Sequence, residues 1–331
     1  MRQSFSVLKT LIVIIVLRLV MNLTHSRSSE LDFLKGVFII LMVAFHLFYF
    51  ASHYSRLCSW VYTYHMPGFL LISGYLMRVN KELKQVVSSL RWLLVPYVFF
   101  ETLFFVGSTF LSISGTMPDY TILGFFEMLL FKPLGNYWYL FSVFLYGTCY
   151  LLVFRLGKLS LVNRLFILAL SFYLLGVLGL VRHENSLYFF IGIVLRQSDL
   201  LFLDVFRPSW WALPAIVVLA FHPTTFDRGT IGGMLTVFSV ISFLLVLYNY
   251  IPQRLKEWVI FLGRNSLIVY VYSPLFTNPC TKYLSLVLAF DSTKILFLAI
   301  ALPLSILGTL LVGKILDTLR ISPLLIGRTM Q

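Results

Sequence analysis

Charge is scarce in this sequence. Of 331 residues, 12% are charged and 59% are hydrophobic. A soluble domain of this length usually carries about twice that share of charge. Polar linkers and low-complexity tracts are missing as well, so the chemistry has to sit within apolar segments or at their ends. Cysteine is sparse: Cys58, Cys149 and Cys280 form no C-x-x-C and no Cys/His spacing, which leaves a disulfide framework or a metal site without support. P-loop, G-x-G-x-x-G and H-E-x-x-H patterns are absent, so ATP-driven transport by this chain has no motif behind it. Acidic residues are the scarcer sign, 13 against 26 Lys and Arg, for a net charge of +13. In a soluble chain that excess would suggest nucleic acid; between apolar segments it is better read as cationic loops held on one side of a membrane, and no nucleic-acid partner is expected.

What the chain has in quantity is apolar runs of about 17–22 residues, recurring from Phe33 to near the C-terminus. Stretches such as FIILMVAF and FFIGIVL are continuously apolar, whereas a barrel strand alternates. The expectation is an all-α integral membrane protein with ten transmembrane helices. They fall near 33–51, 58–78, 92–113, 137–155, 164–181, 186–203, 208–222, 231–250, 258–276 and 294–317. Residues 118–132 are too short and too charged to cross and suit an interfacial or re-entrant helix. The inner loops would carry fifteen basic residues and the outer ones six, which puts both termini in the cytoplasm. Residues 1–29 form an N-terminal segment, 30–320 the membrane domain and 321–331 a tail. Within the first segment the run 11–24 is interrupted by Arg18; it suits an interfacial helix, or upstream sequence with the start at Met21, better than an eleventh span.

An ionisable side chain inside a membrane span is costly, so a functional role is the default hypothesis. In the first span, ELDFLKGVFIILMVAFHLF, Lys35 and His46 are eleven residues apart, close to three helical turns, so they share a face about 16 Å apart along the axis. Asp32 falls within about 60° of the same line. One stripe of a greasy helix therefore carries three polar groups and should face a cavity rather than lipid. In the second span His65 precedes Pro67, where the helix should kink or break and expose carbonyls to protein or water. Glu101 lies mid-span in the third and needs a partner or a proton. The basic loop from Arg78 to Arg91 serves as a topology signal and, with Lys84 and Arg91 beside the Lys35 mouth, could bind phosphates.

These segments resemble the type-3 membrane acyltransferase family. The Lys35/His46 spacing matches that family's first helix. YHMPGFLLISGYLM is similar to its second-helix segment, LRWLLVPYVFF to its Arg-rich loop entering Leu-x-Pro-Tyr, YWYLFSVFLY to its fourth-helix start, and FLGRNSLIVYVYSPLF to its late Gly-Arg-x-Ser-Leu-x-x-Tyr signature. The five matches keep the family's order from residue 30 to 276. The His-Met-Pro form is similar to the fucose 4-O-acetylase-like and polysaccharide O-acetyltransferase branch. Two departures stand out: only Arg91 remains of an Arg-x-Arg pair, and Ser273 stands where many members have a histidine before proline.

The resemblance implies a ten-helix membrane enzyme that moves an acetyl or other short acyl group from acyl-CoA, a co-substrate rather than a tightly bound cofactor, to a sugar hydroxyl. The acceptor would be a cell-envelope glycan or lipid-linked sugar, and the location the bacterial cytoplasmic membrane, among membrane lipid. His46 would act as base or acyl carrier, His65 and Glu101 would orient or relay, and Asp32, Lys35, Lys84 and Arg91 would serve the donor. No metal is expected. A transporter or flippase for a polysaccharide precursor is the alternative of a different class.

Overall fold

The computed structural model describes residues 28–110, 120–133 and 137–331, which are helical with no strand among them. The N-terminal run at 11–24 lies outside the described residues. Helix α1 (Ser29–Phe45) starts where Ser28 caps it, its hydroxyl accepting from Leu31 N at 3.4 Å, with Glu30 and Asp32 in the first turn complementing the helix dipole. It stops at His46, because Leu47 leaves helical geometry at φ −78°, ψ 80°. Short α2 (Phe48–His53) then turns the chain into α3 (Ser55–Leu76). The remaining main helices are α4 (Leu83–Phe110), α5 (Ile122–Leu130), α6 (Trp138–Arg155), α7 (Leu161–Val177), α8 (His183–Gln197), α9 (Phe202–Val205), α10 (Ala212–Phe221), α11 (Ile231–Tyr250), α12 (Gln253–Arg264), α13 (Ser266–Tyr272), α14 (Pro274–Pro279), α15 (Ser285–Val287), α16 (Ile295–Thr318) and α17 (Ser322–Leu325).

Helix stands at each of the ten expected segments, but not always as one rod. Among the described residues, four helices are long and apolar enough to cross a membrane: Leu83–Ser108 of α4, α6, α11 and α16. Helix α1 has 17 residues and α10 only 10. The segment expected at 258–276 is divided at Asn265 into α12 and α13. Nine-residue α5 occupies the segment expected to be interfacial or re-entrant, with Ile122, Leu123 and Phe126 exposed. The break expected at Pro67 is not there. Helix α3 runs through it unbroken, since proline removes one helical bond and a helix packed on both sides tolerates that loss.

Two helix pairs are pressed together by glycines. A Cβ at Gly36 would strike the Val259 carbonyl oxygen, and one at Gly263 the Asp32 carbonyl oxygen, so α1 and α12 meet backbone to backbone. Gly74 and Gly192 do the same for α3 and α8, against the carbonyls of Phe189 and Leu71. Small residues are the usual device for close helix approach in a membrane bundle.

The two ends of the bundle are tied separately. At one end Ser29 hydrogen-bonds Tyr248 at 2.8 Å, Arg155 donates to the Lys81 carbonyl at 2.6 Å, and Phe202 N donates to Tyr75 Oη at 3.3 Å. At the other, Lys294 donates to Tyr49 at 2.6 Å and Thr63 to the Phe226 carbonyl at 2.9 Å. Asp32 and Lys35 belong to the first end; His46, at the far terminus of α1, faces the second.

Candidate active site

His46 and His65 come together around one ring. Tyr62, one turn before His65 on α3, lies 6.0 Å from the His46 ring and 4.9 Å from the His65 ring, centroid to centroid. His46 is half-buried and His65 fully buried. Their hydrogen bonding is the same. His46 Nδ1 lies 2.6 Å from the Met42 carbonyl oxygen, and His65 Nδ1 lies 2.7 Å from that of Val61, each one turn back on its own helix. A carbonyl only accepts, so each Nδ1 must carry the proton. In a neutral ring that leaves Nε2 with the basic lone pair. His65 Nε2 is buried without a hydrogen-bond partner among the described residues.

His46 itself closes α1, its N–H donating to the Met42 carbonyl at 3.1 Å, so it keeps its place on the α1 stripe. The turn at Leu47 leaves it at the helix terminus, beside the α3 ring of Tyr62.

At the other end of α1 the charges are arranged around Asp32, which is 2% exposed. Its Oδ1 lies 2.7 Å from Lys35 Nζ and its Oδ2 3.4 Å from Arg264 Nε. Lys35 thus points along α1 while Arg264 arrives from α12. The Gly263–Arg264 pair acquires a physical reason: the glycine lets α12 touch α1, and the arginine then reaches Asp32. Lys84 and Arg91 are exposed on α4. Arg91 stacks on Trp92 at 4.7 Å, and neither residue makes an ion pair among the described residues. The structure therefore assembles Asp32 with Lys35 but leaves Lys84 and Arg91 standing in solvent.

Glu101 is fully buried on α4. Tyr97, Tyr137 and Tyr270 lie within its electrostatic reach. Tyr139, next to Tyr270 at 5.6 Å, hydrogen-bonds Ser73 on α3 at 2.7 Å. Ser273, at the position noted for its missing histidine, is buried and bonds the Tyr270 carbonyl at 3.3 Å.

Sequence reasoning missed Arg264, Tyr62 and Arg228. Arg264 stood in the quoted Gly-Arg signature. Tyr62 stood one turn from His65 on a helix already chosen. Arg228 gave no signal at all; it lies in a turn and reaches His65 only electrostatically.

The model of an acyltransferase domain matches residues 28–314. The chain belongs to that family of membrane acyltransferases. Among curated relatives, nodulation protein NolL of Sinorhizobium fredii (strain NBRC 101917 / NGR234) is 27% identical over 190 residues, 53% of this chain and 50% of its own length. The NolL of Mesorhizobium japonicum (strain LMG 29417 / CECT 9101 / MAFF 303099) is 27% identical over 138 residues, 37% of this chain and 35% of its own. The chain thus spans half the length, or less, of the curated relatives it matches. No solved structure matches it.

Proposed function

We propose that this acyltransferase carries an acetyl or other short acyl group from acyl-CoA to a hydroxyl of a cell-envelope sugar, with His46 as the base. The observation that carries the reading is the matched pair of Nδ1–H to carbonyl bonds, which dedicates Nε2 of His46 and of His65 to accepting a proton. In the step proposed, His46 Nε2 takes the proton of the acceptor hydroxyl as its oxygen attacks the thioester carbonyl. The tetrahedral intermediate then expels the CoA thiolate, which takes a proton back from the imidazolium. His65, fixed by the Val61 carbonyl and meeting Tyr62 edge to face, positions the acceptor or relays that proton. Glu101, among its tyrosines on α4, would orient or relay.

The donor would enter at the other end, which the excess of basic loop residues marks as cytoplasmic. Its phosphates would meet Lys35 and Arg264, with Lys84 and Arg91 on α4 drawing it in. About 16 Å of helix separates Lys35 from His46, a distance that a long, flexible thioester arm can bridge. An acceptor reached from the far side is then a surface or lipid-linked glycan.

Mass spectrometry of envelope polysaccharide tests this in cells carrying the intact gene, a deletion, or His46→Ala. An acyl-sized mass lost in both altered strains is the expected result. An acylation pattern unchanged by the deletion would overturn the assignment.

A further inference from the structure

We infer that an acceptor subsite lies where α3, α6, α8 and the turn at 227–230 meet, tied there by Thr63 to the Phe226 carbonyl and Tyr188 to the Arg228 carbonyl, in which Arg228 binds an oxyanion of the acceptor, a carboxylate or a phosphate. The inference rests on the acyltransferase reading above and deepens it by naming the acceptor's chemistry.

The backbone of that turn is firmly held. Tyr188 Oη donates to the Arg228 carbonyl at 2.6 Å, Gly229 N to Asp227 Oδ1 at 2.8 Å, and Thr230 Oγ1 to the Asp227 carbonyl at 2.7 Å. Gly233 packs beneath it so closely that a Cβ would lie 2.8 Å from the Arg228 Cα. The guanidinium, by contrast, makes no hydrogen bond or ion pair among the described residues. It is half-buried. Burial lowers its pKa and Arg182 adds to that, while Glu184, Tyr188 and Asp227 offset it, the Glu184 side chain lying against Gly229 of the same turn. A partly desolvated guanidinium with no hydrogen bond or ion pair among the described residues, on a rigid backbone, keeps its planar fork for an anion.

A second observation is independent of the charge. Three polar atoms at this junction are buried and show no geometric hydrogen bond among the described residues: His65 Nε2 on α3, Tyr146 Oη on α6 and Asn185 Oδ1 on α8. Arg228 acts electrostatically on both His65 and Tyr146. Asn185 lies one turn before Tyr188, which holds the Arg228 carbonyl. The Ser142 and Ser186 hydroxyls lie within hydrogen-bonding reach of Tyr146 Oη, so His65 Nε2 and Asn185 Oδ1 are the two atoms left for a ligand to complete. Folded proteins leave few such groups unsatisfied, and their clustering marks a place where a polar ligand completes them. A sugar supplies hydroxyls for these atoms, and its charged substituent supplies the anion for Arg228. The hydroxyl to be acylated then falls beside the histidine pair.

The test is thermal unfolding of the purified full chain in detergent, titrated at constant ionic strength with inorganic phosphate, glucuronate or glucose. Phosphate or glucuronate should stabilise the wild-type chain at lower concentration than glucose, and the stronger of the two tells whether the anion is a phosphate or a sugar carboxylate. Arg228→Gln should weaken binding of that anion by about tenfold or more. Arg228→Lys, which keeps the charge but loses the planar fork, should fall between, and it serves as the test if the glutamine variant does not fold. Anions that bind no better than glucose, or variants that bind them like the wild type, would overturn the subsite. Acyl transfer from labelled acyl-CoA to paired glucoside and glucuronoside acceptors separates the two ideas. Arg228-dependent anion binding without any transfer sinks the acyltransferase reading alone. Transfer with no Arg228-dependent change in the glucuronoside-to-glucoside KM ratio sinks the subsite alone.

Discussion

Gly263→Ala probes the seam on which the charge cluster depends. The added Cβ would strike the Asp32 carbonyl oxygen and lie 2.8 Å from Gly36 N, both backbone atoms that cannot swing aside. Ordinary carbon–oxygen contacts begin near about 3.3 Å, so α12 would have to retreat by roughly 1–1.5 Å. Overpacking of this kind costs about 1–3 kcal/mol. Replacing glycine inside a helix returns up to about 1 kcal/mol, and less here because Gly263 is the penultimate residue of α12. The net expectation is a loss of about 1–2 kcal/mol. Gly107→Ala on α4 is the control: no described residue lies within 4 Å of its Cβ, so only the helical gain remains and the melting temperature should hold or rise. Gly36→Ala attacks the same seam, against the Val259 carbonyl. Once α12 has moved for one substitution the second costs less, so the double variant should lose less than the sum. Retreat of α12 also lengthens the 3.4 Å approach of Arg264 to Asp32, and KM for acyl-CoA should rise. Thermal unfolding in detergent and donor kinetics read both effects. A Gly263→Ala chain that melts at or above wild type, or strictly additive singles, would refute the close-contact reasoning.

Three further outcomes are expected. His46→Ala and His65→Ala should each lower kcat, His46→Ala by about 10²–10⁴-fold as fits loss of a general base, with melting temperatures near wild type; full activity in the former would remove His46 from the mechanism. Asp32→Asn leaves Lys35 and Arg264 facing a neutral amide and should cost about 1–3 kcal/mol, at the lower end because Arg264 is 46% exposed; a melting curve unchanged from wild type would contradict the cluster. Asp291 caps the start of α16, accepting from Thr293 Oγ1 at 2.7 Å and Leu296 N at 2.8 Å, and chiefly the Thr293 hydroxyl holds its pKa below the ordinary value. Its contribution is present above that ordinary value and is lost as pH falls through the depressed one, so amide exchange in the first turn of α16 should quicken below about pH 4; Asp291→Ala should erase that acid dependence.

Much of the architecture was legible because insertion into lipid depends on composition over a window. Continuous apolar runs announce helices wherever they occur, and α4, α6, α11 and α16 followed directly. The Asp32–Lys35–His46 stripe was legible by the same periodicity, since a polar group on a greasy helix must face protein or water. Helix breaks were not. Pro67 carried the strongest local signal and broke nothing, whereas the chain turned at Leu47 and Asn265, neither of which carries a strong breaking residue. Those turns are decided by what α1 and α12 meet at their ends, which no window sees.

The sequence by itself determined a helical membrane protein, its family signature, and a short set of ionisable residues too costly to be idle. Only the tertiary structure decided their company. It closed Arg264 onto Asp32 across two glycines 227 positions apart in the chain. It brought His46 to Tyr62 and His65, and it set Arg228 near them from a turn with no motif. A burial preference is local and additive along the chain, but a hydrogen bond, an ion pair or a backbone contact exists only when two distant segments are placed within a few ångströms, and packing alone places them.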